Sequence, residues 1–354
     1  MAQDVARNLA EHRLRRSDAP LVDLATVRNP YGPPPAVRAA LRFLTADDIA
    51  LPPTSAAERL EAAYAELLGV DPGELLAGRG PAEFLWALGR SAPHQSVAVP
   101  LPASGEVLDA FPSRGFSRYP GEQVPSIEQV EEALDAASLV VISNPQLPSG
   151  VILDRAALED VARHHPASTL VVDESAVDFL PDPAAVSLVG TDADNVIVLR
   201  STAEFYGTGA ARTGVAWSRD PLLLRTLFGH REALPISGLD VVVAEAALAS
   251  TEWADEARRL LAADAAWLDS VLPTLGGRPV ADSRLPYRFV ITDSAAEWAS
   301  RLASAGISVR AFGPGHGVHP GALGISTPRE SERAVLATVL GATHAASPAF
   351  SEAG

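Results

Sequence analysis

The sequence predicts an α/β protein that has a mainly parallel sheet in a large domain and a smaller α+β domain. Short apolar runs sized for buried strands alternate with amphipathic stretches that start at helix-capping residues. After about residue 260 the pattern changes to short strands with helices between and after them. The chain has 354 residues, of which 47% are hydrophobic, so it is long and apolar enough to build both cores.

The middle of the chain supplies buried strands and the helices that connect them. Strands are predicted at Leu139–Ser143, Thr169–Asp173 and Asn195–Leu199. Ser126 and Gln129 form the pattern of a capping box that opens the helix before the first strand. Before the second strand, Asp154 is expected to cap a helix that runs through His165.

Polar residues follow these strands. Asn144, Asp173 and Ser201 lie at predicted carboxyl ends. Because ligands of open α/β sheets gather at that edge, these residues indicate a binding site.

The C-terminal part predicts a small lobe. Strands are expected at Tyr287–Thr292, Gly306–Arg310 and Leu323–Ser326, with a final helix through Leu340. Ser294 and Glu297 have the spacing of another capping box. We divide the chain into an N-terminal arm that wraps the small lobe (1–45), a large domain (46–260), a small domain (261–345) and a frayed tail (346–354).

The charge and composition exclude several classes of partner. A net charge of −16 opposes binding to nucleic acid or to an anionic membrane, because phosphates would be repelled. No segment has the pattern of a signal peptide or a membrane span, so a cytoplasmic protein is expected. There is no cysteine, which removes disulfides and thiolate chemistry, and no metal site is expected.

All 28 basic residues other than histidine are arginine, so the chain contains no lysine. A GC-rich coding bias lowers the lysine content of a protein. That bias is not expected to remove a lysine that chemistry requires. No side chain of this protein can therefore form a Schiff base.

Five segments follow one another in a characteristic order. They are Asn29–Pro33, Gly78–Gly80 with Glu83, Asn144–Gly150, Asp173–Phe179 and Ser201–Gly214. Together they resemble the motifs of fold-type I pyridoxal-phosphate (PLP) enzymes of the aminotransferase class I/II, in particular the histidinol-phosphate aminotransferases and threonine-phosphate decarboxylases. The resemblance covers nearly the whole chain. It implies the PLP-transferase fold and a homodimer whose active sites form between subunits.

The same resemblance shows which family groups this chain lacks. Glu204 stands where the family has the lysine that holds PLP. Leu147 and Ala176 replace an asparagine and a tyrosine that support the phenolic oxygen of the cofactor. Where the family has an aromatic side chain that stacks on the pyridine ring of PLP, this chain offers only Ser104.

Further departures affect the anion-binding positions. Pro81 replaces the serine of the phosphate loop beside Gly80, and Gly324 stands where the family has an arginine that grips carboxylates. Leu51 aligns near the tyrosine donated across the dimer. The resemblance leaves Asp173 for the pyridine nitrogen, with Ser201 and Arg212 at the phosphate.

Glu204 and Asp173 are the strongest catalytic candidates. Two carboxyl groups in one dry cavity separate in pKa, which provides one acid and one base. The alternative is structural, with Glu204 neutralised by Arg212 in an empty cavity. Ser201 and Arg212 either bind a phosphate or carboxylate of a ligand or are inherited structure.

Other residues are candidates for the pocket. Tyr31 and Tyr206 would line it, while Asn144 either faces the ligand or holds its loop. His316 and His319 lie in a glycine- and proline-rich loop beside the pocket mouth, and His319 is a candidate acid–base group. A solvent-exposed loop without a chemical role is the alternative.

Three functions remain open. The first is an enzyme of specialised biosynthesis that uses Glu204 in PLP-independent acid–base chemistry on a small amino-acid-derived or phosphorylated metabolite. The reaction would be an elimination, isomerisation, cyclisation or condensation. The second is a non-catalytic pseudo-aminotransferase that binds a ligand or forms a heterodimer with an active aminotransferase. The third is an enzyme that binds PLP or pyridoxamine phosphate (PMP) non-covalently.

Overall fold

The computed structural model describes residues 22–91, 96–111, 116–119, 125–280, 283, 285–313, 316, 318 and 321–341. The strands are β1 (Val22–Asp23), β2 (Leu75–Gly78), β3 (Val97–Pro100), β4 (Phe116–Tyr119), β5 (Leu139–Ser143), β6 (Thr169–Asp173), β7 (Val196–Ser201), β8 (Gly214–Trp217), β9 (Arg278–Pro279), β10 (Tyr287–Ile291), β11 (Ile307–Ser308), β12 (Arg310–Phe312) and β13 (Ala322–Ser326).

The helices are α1 (Pro35–Arg42), α2 (Ala46–Ala50), α3 (Ala56–Leu68), α4 (Pro81–Ser91), α5 (Gly105–Ala110), α6 (Ile127–Ala136), α7 (Arg155–His164), α8 (Pro221–Phe228), α9 (Gly238–Leu248), α10 (Thr251–Val271), α11 (Ala295–Ser304) and α12 (Glu330–Leu340). Short 3-10 turns stand at Pro72–Glu74, Val177–Phe179 and Leu272–Leu275. Within the described residues, no helix is both long and apolar enough to cross a membrane.

A seven-stranded sheet forms the centre of the molecule, with the strand order β2-β8-β7-β6-β5-β3-β4. The neighbours from β7 through β4 are parallel, whereas β8 pairs antiparallel with both β7 and β2. This arrangement confirms the predicted α/β fold with a mainly parallel sheet.

Both faces of the large sheet are buried, which explains why its strands are continuous apolar runs. Along β7, Val196 and Val198 enter one core cluster, while Ile197 and Leu199 enter the cluster on the opposite face. Strand β5 alternates in the same way. The large sheet is therefore a rigid platform whose carboxyl edge carries the polar residues.

The helix caps follow the sequence signals in two of three cases. The Ser126–Gln129 capping box and the Asp154 cap are both present. The predicted box at Ser294 is wrong, because this residue has a turn conformation with ψ 19° and its side chain makes no cap hydrogen bond. Its backbone N–H instead donates to the Thr292 hydroxyl at 3.3 Å.

The small lobe contains an antiparallel sheet of order β12-β13-β10-β9. The N-terminal arm joins it, since β1 pairs in parallel with β11. Val22 and Leu24 enter the core of this lobe beside Ile307. The described part of the arm therefore begins on the small lobe, before it continues to the edge of the large sheet. The exact domain boundaries remain a prediction.

Candidate functional site

A cleft of about 500 Å³ lies at the carboxyl edge of the large sheet. Its walls come from segments that are far apart in the sequence: the N-terminal arm, the start of α4, helix α5, the turn after β7 and the residue before α12. Its lining includes Arg28, Asn29, Gly32, Arg79, Gly80, Glu106, Ser201, Glu204, Gly207, Arg212 and Arg329. Ligands of open α/β sheets bind at this edge.

The arm crosses directly over the turn that carries Glu204. The backbone N–H of Asn29 donates to the carbonyl of Glu204 at 2.8 Å. A Cβ atom at Gly32 would lie 2.6 Å from the carbonyl oxygen of Tyr206, and Gly207 has a φ of +64°. Only glycine permits this close backbone crossing, which holds the arm against the site.

Glu204 is the most perturbed group of the cleft. Its side chain keeps partial exposure toward the cleft, but its Oε2 atom is buried and has no hydrogen-bond partner in the structure. Burial raises the pKa of Glu204 to about 7, against a hydrogen bond with Ser201, and the carboxyl groups of Asp173 and Glu106 raise it further. The carboxyl group is thus suited to exchange a proton near neutral pH.

Two more carboxyl groups accompany Glu204. Asp173 is buried at the end of β6, where its Oδ1 accepts from the backbone N–H of Ser175 at 3.0 Å and from the Ser175 hydroxyl. Burial raises the pKa of Asp173 above its usual range. Glu106 lines the cleft, and burial followed by repulsion from Asp173 raises its pKa as well, while Arg212 opposes the rise.

The Glu204–Arg212 ion pair that a structural role for Glu204 predicts is not formed. Arg212 is exposed at the cleft wall, where its charge acts on Glu106. The groups that most affect the pKa of Glu204, besides burial, are Ser201, Asp173 and Glu106. The buried carboxyl group therefore has no counter-charge from Arg212.

Several predicted pocket residues lie outside the cleft lining. Tyr31 donates its hydroxyl to Asp264 at 2.6 Å, and Tyr206 stacks on Trp253 with ring centroids 6.1 Å apart. Ala176 is buried in the core. Ser104 caps α5 by accepting from the backbone N–H of Val107 at 3.3 Å.

Asn144 has a structural role. Its side chain donates to the carbonyl of Leu153 at 3.1 Å and accepts from the N–H of Leu153 at 3.0 Å. Both polar atoms are occupied and the residue is fully buried. Of its two alternatives, the geometry favours holding the loop.

The histidine loop is described only in part. His319 lies outside the described residues, so its role as an acid–base group stays a prediction. The ring of His316 packs edge-on against Phe312, with centroids 5.3 Å apart.

Five charged or amide side chains of the cleft lining were not predicted as site residues: Arg28, Asn29, Arg79, Glu106 and Arg329. Three of them had a usable signal. Asn29 and Arg79 belong to the first and second motif segments, and Glu106 follows Ser104 by two residues. Arg28 and Arg329 belong to separate loops, and no local pattern brings them together.

The groups present do not fit a covalently held PLP. The chain has no lysine, and the unpartnered Glu204 Oε2 is an acid that forms no Schiff base. The positions of the expected ring supports hold Ala176, which is buried in the core, and Ser104, whose hydroxyl is used to cap a helix. The acid–base groups that the cleft does offer are carboxyl groups of the chain itself.

Comparisons with known proteins give one consistent result. Residues 19–335 match the family described as aminotransferase class I and II. A histidinol-phosphate aminotransferase of Pseudomonas entomophila is 30% identical over 314 residues, which cover 84% of this chain and 87% of that protein.

Solved structures share the fold. A histidinol-phosphate aminotransferase of Sinorhizobium meliloti, crystallised in complex with pyridoxal-5′-phosphate, superimposes with a TM-score of 0.80 at 23% identity and covers 91% of each chain. An L-threonine-O-3-phosphate decarboxylase of Porphyromonas gingivalis has a TM-score of 0.77 at 18% identity, covering 91% of this chain and 98% of the other.

Proposed function

The chain belongs to the class I and II aminotransferase family, and we propose that it carries out acid–base chemistry without lysine-bound PLP, with Glu204 as the proton-transferring group. The substrate is a small amino-acid-derived or phosphorylated metabolite. The reaction is one that proton transfer alone can drive: an elimination, isomerisation, cyclisation or condensation.

One observation carries this proposal: a carboxyl oxygen of Glu204 is buried without a partner at the wall of a large cleft. A buried polar atom without a partner destabilises the folded protein, and Glu204 and Asn29 are the residues with such an atom that line the cleft, among the residues that the structure describes. With a pKa of about 7, both protonation states of Glu204 are populated at neutral pH. This is the condition under which a general acid or base works best.

The neighbouring groups have supporting roles in this proposal. The Ser201 side chain favours the ionised form of Glu204 and so opposes the rise of its pKa, while Oε2 is the atom available to take or give the proton. The charges of Asp173 and Glu106 make ionisation of Glu204 harder and so keep its proton available. The arm backbone, bonded to the Glu204 carbonyl through Asn29, holds the turn in place.

Non-covalent binding of PLP or PMP is the alternative. It is supported by Asp173 at the end of β6 and by Ser201 and Arg212 in the cleft lining, which are the groups that the family resemblance assigns to the cofactor. The absorbance of the protein after addition of PLP separates the two proposals, because only the alternative requires a bound cofactor. Neither proposal forms a covalent adduct, so we expect no mass gain on any internal peptide after borohydride reduction.

The proposal is tested by proton exchange, which does not require the full reaction to be known. Candidate metabolites are incubated with the protein in D₂O, without PLP, and the incorporation of deuterium at C–H positions is followed by NMR. Glu204→Gln should slow exchange by about 10²- to 10⁴-fold, the usual contribution of a general acid or base. Glu66→Gln, an exposed carboxyl group on α3, is the matched control.

Two results would refute the proposal: exchange that appears only after addition of PLP or PMP, or a directly measured Glu204 pKa near the ordinary 4.5.

We also infer a homodimer. The support is the family of the chain together with a strongly exposed apolar face near the arm, which includes Phe43 and Leu51.

A further inference from the structure

Four arginines line the cleft, and they form two pairs. Arg79 and Arg212 flank the paired ends of β2 and β8, where Gly78 lies opposite Gly214. We call them the sheet pair. The sheet pair includes the arginine that the family resemblance already places at a phosphate.

The second pair, Arg28 and Arg329, comes from the arm and from the residue before α12. The two segments run side by side, because the Ser326 hydroxyl donates to the carbonyl of Thr26 at 2.7 Å. We call Arg28 and Arg329 the arm pair. Neither residue belongs to a motif of the family resemblance that would explain its presence in the cleft.

These exposed guanidinium groups have no close ion-pair partner among the residues that the structure describes. Among the described residues, Arg79, Arg212 and Arg329 form no ion pair within 4 Å, and Arg28 has only an exposed contact with Asp23 at 3.8 Å. The acidic residues of the lining are Glu106 and Glu204, of which Glu204 is partly protonated at neutral pH. A protein of net charge −16 thus concentrates positive charge in one cleft.

An unused amide donor stands beside the arm pair. Asn29 follows Arg28 directly, lines the same cleft and is 2% exposed, and its Nδ2 has no hydrogen-bond partner in the structure. Its Oδ1 is occupied by the backbone N–H of Tyr31 at 2.9 Å. A buried amide with a free N–H group needs an acceptor, and a ligand in the cleft would supply one.

The family resemblance places an arginine that binds carboxylates at position 324, but this chain cannot bind a second anion with that position. Position 324 is a glycine, and a Cβ atom there would lie 1.7 Å from the Tyr287 hydroxyl oxygen. No side chain fits at that position without displacement of Tyr287. A grip on a second anionic group has to come from elsewhere.

We propose that Arg28 and Arg329, with the amide of Asn29, bind a second anionic group of the ligand, so that the cleft takes a small molecule with two phosphate or carboxylate groups. The sheet pair binds the first group. Arginine is suited to both positions because its planar fork matches the oxygens of a phosphate or a carboxylate. This inference deepens the proposed function, on which it rests, by naming its substrate class.

The test compares probes that carry one or two anionic groups. Binding is measured by calorimetry at low ionic strength, where charge interactions are least screened. Glycerol 3-phosphate carries one phosphate, 3-phosphoglycerate adds a carboxylate, and glutarate carries two carboxylates without phosphate. We expect 3-phosphoglycerate to bind about 10- to 100-fold more tightly than glycerol 3-phosphate, the gain expected from added hydrogen bonds between charged groups. Tight binding of glutarate would identify a dicarboxylate as the ligand; weak binding would identify a phosphate ester.

Variants locate the second group. Arg28→Gln/Arg329→Gln should abolish the advantage of 3-phosphoglycerate and leave the binding of glycerol 3-phosphate within about twofold of the wild-type value. Arg212→Gln should weaken both probes. Arg38→Gln/Arg225→Gln is the matched control, because it removes two exposed arginines that do not line the cleft.

The inference is overturned if the second anionic group brings no gain in affinity, or if the arm-pair variant keeps that gain. Glu204→Gln separates this outcome from the proposed chemistry. That variant removes negative charge from the cleft, so it should bind 3-phosphoglycerate at least as tightly as the wild type does, whatever happens to proton exchange.

Discussion

At the scale of single residues, Glu204 is the group to which the proposed function assigns proton transfer, and its ionisation also affects stability. Its pKa is about 7 in the folded protein and 4.5 in a model peptide, so the folded state holds a proton that the unfolded state has already lost. The free energy of unfolding therefore falls as pH rises from about 4.5 to about 7.

Glu204→Gln should remove this pH dependence, because glutamine resembles the protonated acid at every pH. The variant should equal the wild type near pH 4.5 and exceed it by about 1–3 kcal/mol above pH 7. Urea unfolding at pH 5 and pH 8 measures the difference. A variant that is less stable than the wild type at pH 8 would show that the carboxylate has a counter-charge.

Glu106 is expected to tune Glu204 by repulsion. Glu106→Gln should lower the pKa of Glu204, although the pKa should stay above 4.5 because burial is the larger cause. The carboxyl C=O stretch in infrared difference spectra against Glu204→Gln reports this titration. An unchanged pKa of Glu204 would show that the charge of Glu106 does not act on it. Glu66→Gln, which removes a distant exposed charge, is the control.

At the scale of elements, local sequence signals predicted the strands, whereas tertiary contacts form the cleft. Strands β5 and β6 match their predicted bounds. A continuous apolar run fits a strand of a sheet that is buried on both faces, and the polar residues on either side of the run mark the ends of that strand. The prediction of a capping box at Ser294 was wrong, because this residue has a turn conformation in which its backbone N–H donates to the Thr292 hydroxyl. Arg28 and Arg329 were not predictable, because only the contact between the arm and β13 brings them together.

The crossing of the arm over the Glu204 turn gives an element-scale prediction. Gly32→Ala should destabilise the protein by about 1–3 kcal/mol, as overpacking does, because its Cβ would lie 2.6 Å from the Tyr206 carbonyl oxygen. Gly209→Ala, in the same turn, has nothing within 4 Å of its Cβ and should change stability by less than about 0.5 kcal/mol. Urea denaturation measures both, and equal stabilities would contradict the crossing.

At the scale of the whole molecule, the large sheet and the small lobe present their polar residues to one cleft, while a separate apolar face remains exposed. This face contains Phe43, Ile49 and Leu51, which are 83%, 69% and 66% exposed, on the chain between α1 and the start of α3. Helix α9 packs beneath it. Strongly exposed aromatic and aliphatic side chains on one short stretch of chain indicate a protein–protein interface.

We expect this face to hold the homodimer together. Phe43→Ser/Leu51→Ser removes apolar area that a partner would bury, and it should convert a dimer into a monomer at micromolar concentration, as measured by multi-angle light scattering. Leu222→Ser/Phe228→Ser changes two exposed residues of α8 and should leave the mass unchanged. A wild-type monomer would refute the homodimer, and a variant that remains dimeric would place the interface elsewhere. If dimerisation also completes the site, the monomeric variant should lose proton exchange while keeping the melting temperature of its fold, which distinguishes a shared active site from an interface that serves stability alone.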